Sequence, residues 1–95
     1  MDNQINKKMS GDLSNVINIG KDTKTKLEQV GIDSFEKLKS IGYEQAFLRL
    51  QSIDPGACLN LLYSLEGAIE GIKWHNLSVE KKQELLQFFK MAKNK

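Results

Sequence analysis

The stretch LNLLYSLEGAIEGIKWHNLS, Leu59 to Ser78, decides the fold. With Cys58 just ahead of it, Leu61, Leu62, Leu65, Ala68, Ile69 and Ile72 return every three or four residues, the spacing of a helix with one broad apolar face. A helix this apolar must be covered by other elements, so the stretch marks the buried centre of an all-α domain. Gly67 and Gly71 lie four apart along it, each costing up to about 1 kcal/mol of helix propensity relative to alanine. Close internal packing is the first explanation for such a cost. A self-association face built on Gly67 and Gly71 is the second.

Outward from this centre, Ser78 can cap a last helix carrying Val79, Leu85, Leu86, Phe89 and Ala92, with Lys90, Lys93 and Lys95 near its negative end. Upstream, Tyr43, Phe47 and Leu50 give a helical face that Pro55 and Gly56 stop. Ser34 suits the N-cap of FEKLKS, which Gly42 ends. Leu13, Val16 and Ile17 predict a short first helix broken by Asn18 to Gly20. A second helix, capped by Asp22 or Thr23, then runs through Leu27 to Val30, where Gly31 supplies a left-handed stop. No alternating apolar run predicts a strand. The expectation is a compact bundle of five to six helices over residues 11–93, preceded by a flexible tail over residues 1–10.

The 95 residues suffice for one small domain that buries about two thirds of its unfolded surface. Fourteen basic against twelve acidic side chains leave a net +2, too little to argue for a nucleic-acid or membrane partner without clustering. A single cysteine, Cys58, excludes an internal disulfide and any cysteine-based metal cage. The polar start MDNQINKKMS lacks the apolar core of a signal peptide, and no run is long enough to span a membrane. A cytoplasmic location is expected.

Taken together, NIGKDTKTKLEQVGI (residues 18–32), LNLLYSLEGAIEGIKWHNLS and KKQELL (residues 81–86) resemble the C-terminal domain of the TfoX/Sxy family of competence regulators. The resemblance covers Leu13 to about Phe88. It implies a SAM-like bundle whose first half is similar to a helix-hairpin-helix. It also implies a role in turning on DNA-uptake genes together with the cyclic-AMP receptor protein, through a protein partner in the transcription machinery. The sequence lacks the N-terminal domain that precedes this one in two-domain members, so the module rather than the full regulatory activity is what carries over. A small apolar residue is usual in the family where Lys24 stands.

The hairpin at residues 16–32 raises a second possibility, direct contact with the DNA phosphate backbone. A helix N-terminus offers unpartnered amides and a partial positive charge. Gly20 would let a phosphate approach closely, Asn18 tolerates the turn, and Lys21, Lys24 and Lys26 would add charge. Against this stand Asp22, Glu28 and Asp33 in the same stretch, and the fact that glycines and lysines at such turns are commonly structural and solvated. Trp74 reads as a plug for the corner between the last two helices with His75 at its edge; stacking on a base is the alternative. Glu66 and Glu70 read as solvated carboxylates. With one histidine, one cysteine and no nucleophile–base pair, neither an enzyme, a metal site nor a cofactor is expected. A solitary scaffold with some unrelated partner completes the set of readings.

Overall fold

The computed structural model describes residues 13–94. Its helices are α1 (Lys21–Gln29), α2 (Phe35–Ile53), α3 (Leu59–Glu70) and α4 (Val79–Lys93), with a 3-10 turn at Trp74–Asn76 between the last two. No strand occurs among the described residues, so the class is all-α as expected. The tail expected over residues 1–10 lies outside the described residues. The four α-helices fall short of the five to six expected, for two separate reasons.

Helical spacing in Leu13 to Ile17 is produced by consecutive turns instead of a helix. The Val16 amide bonds the Leu13 carbonyl at 3.2 Å, and the Ile19 amide bonds the Val16 carbonyl at 3.2 Å. Asn18 then takes a left-handed conformation, φ 70°, which no helix interior accommodates. Two of these residues, Leu13 and Ile19, still enter the core. FEKLKS and the Tyr43 segment, in contrast, are joined end to end within α2, where Gly42, at φ 86°, ψ 165°, ends the first helical segment as expected and kinks the element before the second.

The helix ends follow local chemistry. Ser34 accepts a bond from the Lys37 amide at 3.1 Å and Ser78 one from the Lys81 amide at 3.0 Å, both as N-caps. The start of α1 differs from the expectation that Asp22 or Thr23 caps it. Its N-cap is Gly20, with no side-chain bond, and both of those residues lie inside the first turn. Gly31 and Gly71 end α1 and α3 at φ 85° and 79°. In each case the next amide reaches back over the turn, Ile32 to the Leu27 carbonyl at 2.8 Å and Ile72 to the Gly67 carbonyl at 2.9 Å.

The helix α3 occupies the centre, packed against α2 on one side and α4 on another. Leu62 and Leu65 of α3 are fully buried with Leu13, Leu27, Ile32, Leu38, Phe47, Leu50 and Leu85. Burial of each such side chain contributes about 1.5–3 kcal/mol, which outweighs the exposed ion pairs at about 0–1 kcal/mol each. Phe47 joins α2 to α4 through edge-to-face contacts with Phe88 at 6.2 Å and Phe89 at 5.9 Å.

The side chain of Asn18 fastens the first turns to the far end of α3. Asn18 donates through Nδ2 to the Ile72 carbonyl at 2.8 Å, and its Oδ1 accepts from the Trp74 amide at 3.3 Å. Gly67 makes room for this joint: a Cβ there would lie 2.5 Å from Asn18 Nδ2 and 2.9 Å from the Ile72 carbonyl oxygen. Close internal packing is thus the role of Gly67, while Gly71 meets nothing within 4 Å and acts as the left-handed helix stop. The two glycines therefore do not form one small-residue face.

The joint predicts an order of substitution costs. Gly67→Ala should destabilise by about 3 kcal/mol, through overpacking and loss of the Asn18 bonds. Gly71→Ala should cost about 1–2 kcal/mol from left-handed strain. Gly20→Ala should stay within about 0.5 kcal/mol, since Gly20 has an ordinary φ of −86° and open space around it. Urea denaturation of the three variants tests the order.

Candidate functional site

The hairpin at residues 16–32 places its candidate residues in unequal roles. Asn18 does provide the left-handed turn, but both polar atoms of its amide are committed to the Ile72 carbonyl and the Trp74 amide. Gly20 leaves the start of α1 bare. Beside it lies a cleft of about 280 Å³ lined by Ser14, Ile19, Gly20, Lys21 and Lys24. Here the uncapped first turn of α1 has the partial positive charge that favours an anion, although the Asp22 carboxylate occupies that same turn.

The three lysines do not form a single stripe. Lys21 is exposed and makes no ion pair among the described residues. Lys24 pairs with Glu28 one turn along α1 at 3.0 Å. Lys26 pairs across the fold with Asp54, at the end of α2, at 2.8 Å. That bond, with a second from the Gly56 amide to Asp54 Oδ1 at 3.0 Å, holds the Asp54 carboxyl below its usual range. It also raises Lys26, first through the hydrogen bond and then through the charge of Asp54. Lys26 belongs instead to a second cleft, of about 230 Å³, which it lines with Asp22, Asp54, Cys58 and Leu61.

Trp74 sits at the α3–α4 corner as expected, but it is half-buried, not a sealed plug. Its ring stacks with Tyr63 of α3 at 5.8 Å and with exposed His75 at 4.0 Å. Among the described residues, no group of three or more His, Cys, Asp or Glu side chains is arranged to hold a metal ion. No helix among them is long and apolar enough to cross a membrane.

Glu66 departs from the expectation of a solvated carboxylate. It is 7% exposed, enclosed between α3 and its neighbours. The available signal was its register, one turn beyond buried Leu62 and directly after Leu65. Spacing relative to Glu70 alone pointed the wrong way, because Glu70 is exposed.

These features define a small all-α module in which a turn-and-helix arm is pinned to one end of a central apolar helix. The chain belongs to the TfoX C-terminal domain family, whose model matches residues 9–89. It is similar to an uncharacterized protein from Listeria monocytogenes solved in a triclinic crystal form, at 42% identity and a TM-score of 0.83, over 84% of this chain and 91% of that one. A tetragonal-form structure of a protein of unknown function from Listeria monocytogenes is similar at 42% identity and a TM-score of 0.82, over 84% and 99% of the two chains. No curated protein matches.

Partial burial sets the expected cost of removing the indole. Trp74→Ala should destabilise by about 2 kcal/mol, short of the roughly 3–5 kcal/mol for a fully buried aromatic. Chemical denaturation followed by circular dichroism measures the difference.

Proposed function

We propose that this domain is a non-enzymatic regulatory module of the TfoX type, acting in the cytoplasm through contacts with a protein of the transcription machinery and contributing to competence or transcription regulation. The observation that carries this reading is the fate of the hairpin charge. With Lys24 facing Glu28 and Lys26 facing Asp54, a phosphate chain would have to compete for two of the three lysines. Protein contact asks for no basic patch. The exposed apolar side chains Ile53, Val79 and Met91 offer contact area of the other kind.

Direct, weakly specific DNA binding is the second reading, favoured by the uncapped start of α1 beside the cleft at Gly20 and Lys21. A stand-alone scaffold would share the contact surfaces and differ only in its partner.

Titration of the purified domain with duplex DNA separates the first two readings. Three neutralised phosphates would give a log–log salt slope near −2.7 and a roughly forty-fold loss of affinity between about 50 and 200 mM salt. The expected result is binding absent or weaker than roughly 10⁻⁵ M at physiological salt. Tight binding with that slope, lost when Lys21, Lys24 and Lys26 are all changed to alanine, would replace the first reading with the second. In a parallel arm, immobilised domain is exposed to purified RNA polymerase and cyclic-AMP receptor protein. Binding to either supports the first reading, and binding to neither favours the scaffold.

A further inference from the structure

Glu66 is the buried charged residue among the described core, and its surroundings are built from three helices. Its own helix contributes Glu70 one turn on. Lys81 and Glu84 come from α4, and Tyr43 from α2, with Glu44 acting on that tyrosine from the same helix. The 3-10 turn, which packs on α3, carries His75, exposed and stacked on Trp74. Lys81 Nζ lies 3.7 Å from Glu66 Oε2 and 3.4 Å from Glu84 Oε2. A settled charge-assisted bond would measure about 2.7–2.9 Å, so the ammonium holds Glu84 by one long hydrogen bond and stops short of Glu66. Glu84 has a second hold, the Tyr43 hydroxyl donating to the same Oε2 at 3.0 Å, and Lys81 lies 5.9 Å from the Tyr43 ring centroid.

We propose that Lys81 is a two-position ammonium: it pairs with Glu84 beside the Tyr43 ring while Glu66 carries a proton, and is drawn onto Glu66 when that proton leaves. One buried carboxyl then controls how the first turns of α4 are held on α2 and α3.

Lys81, Glu84 and Tyr43 keep their charge states while Glu66 changes. Burial pushes Glu66 up from 4.5 to about 7, a hydrogen bond with Glu70 adds to the rise, and the charge of Lys81 opposes it. Burial lowers Lys81, but Glu66 and Glu84 outweigh that and leave it raised, so the ammonium persists. Glu84 is held below its usual range, first by the Tyr43 hydroxyl and then by Lys81, so it stays ionised. Tyr43 is raised by burial and by Glu84 and stays neutral. Among these four groups the charge that changes near neutrality is therefore the one at Glu66.

The sign of the linkage follows. Between pH 4.5 and about 7 the folded chain holds a proton that the unfolded chain has released. The stability this adds is complete below about 4.5 and is lost as the pH rises through about 7.

The test is an NMR titration of the ¹³C,¹⁵N-labelled domain from about pH 5 to 9, following Glu66 Cδ and Lys81 Cε and Nζ. The Glu66 carboxyl is expected to titrate near 7, with the Lys81 signals moving at the same midpoint. In Glu66→Gln the Lys81 signals should stay still, and the fall in melting temperature with rising pH expected of the natural sequence should flatten. In Lys81→Met the Glu66 midpoint should move higher, because the opposing cation is gone. A Glu66 carboxyl that titrates near its ordinary 4.5, or Lys81 signals that ignore the Glu66 midpoint, would overturn the proposal. These two readouts come from the natural sequence and decide the matter even if a variant fails to fold.

Discussion

The Asn18 side chain, seated over Gly67, is the constraint on which the rest of the domain depends. One primary amide satisfies a carbonyl and an amide at the end of α3, both in a stretch where helix geometry has stopped and backbone groups lack their usual partners. The absence of a side chain at Gly67 admits it. Through this contact the turns that carry Leu13 and Ile19 are brought to the core, and α1 leaves the joint at a fixed position. The α3–α4 corner, with its half-buried Trp74, is shaped by the same two bonds.

Electrostatics distributes the hairpin lysines among tasks that have little to do with one another. Lys24 closes on its own helix, Lys26 ties α1 to the end of α2, and Lys21 is left facing solvent. Exposed pairs of this kind contribute little to stability. Their larger effect is on recognition, because a carboxylate already beside an ammonium must be displaced before that ammonium can neutralise a phosphate. Cation count in a sequence therefore overstates the charge the folded surface can offer.

Most of the architecture was legible because it rests on local chemistry. Ser34 and Ser78 cap their helices, Gly31 stops α1, and the apolar spacing of Leu61 to Ile72 locates the central helix, although Gly71 proved to be its left-handed stop where close packing was expected. Two local readings failed for a shared reason. Leu13, Val16 and Ile17 have helical spacing, yet long-range bonds from Asn18 favour turns over a helix there. Glu66 and Glu70 look alike on a helical wheel, yet only Glu66 falls under α4. In the hairpin, the suitability of Asn18 for a left-handed turn was visible, whereas the use of its amide was not, because its partners lie 54 and 56 positions away. The partner of Lys26, Asp54, is 28 positions away and equally invisible to spacing.

That separation bears on the order in which the molecule assembles. The contact between α2 and α3 joins neighbours in the chain, while the Asn18 joint must close a loop of 54 residues before its two bonds return anything. Loop-closure entropy of this kind is met late, after a surface exists to receive the arm. The receiving surface is the bare side of α3 at Gly67 together with the carbonyl of Ile72, and neither is in place until α3 has formed and its left-handed stop has been set. Synthesis delivers Asn18 first and its partners near the end, so a chain growing from the ribosome carries Leu13 and Ile19 uncovered until α3 emerges. The earliest part of the domain to be made is the last to be sheltered.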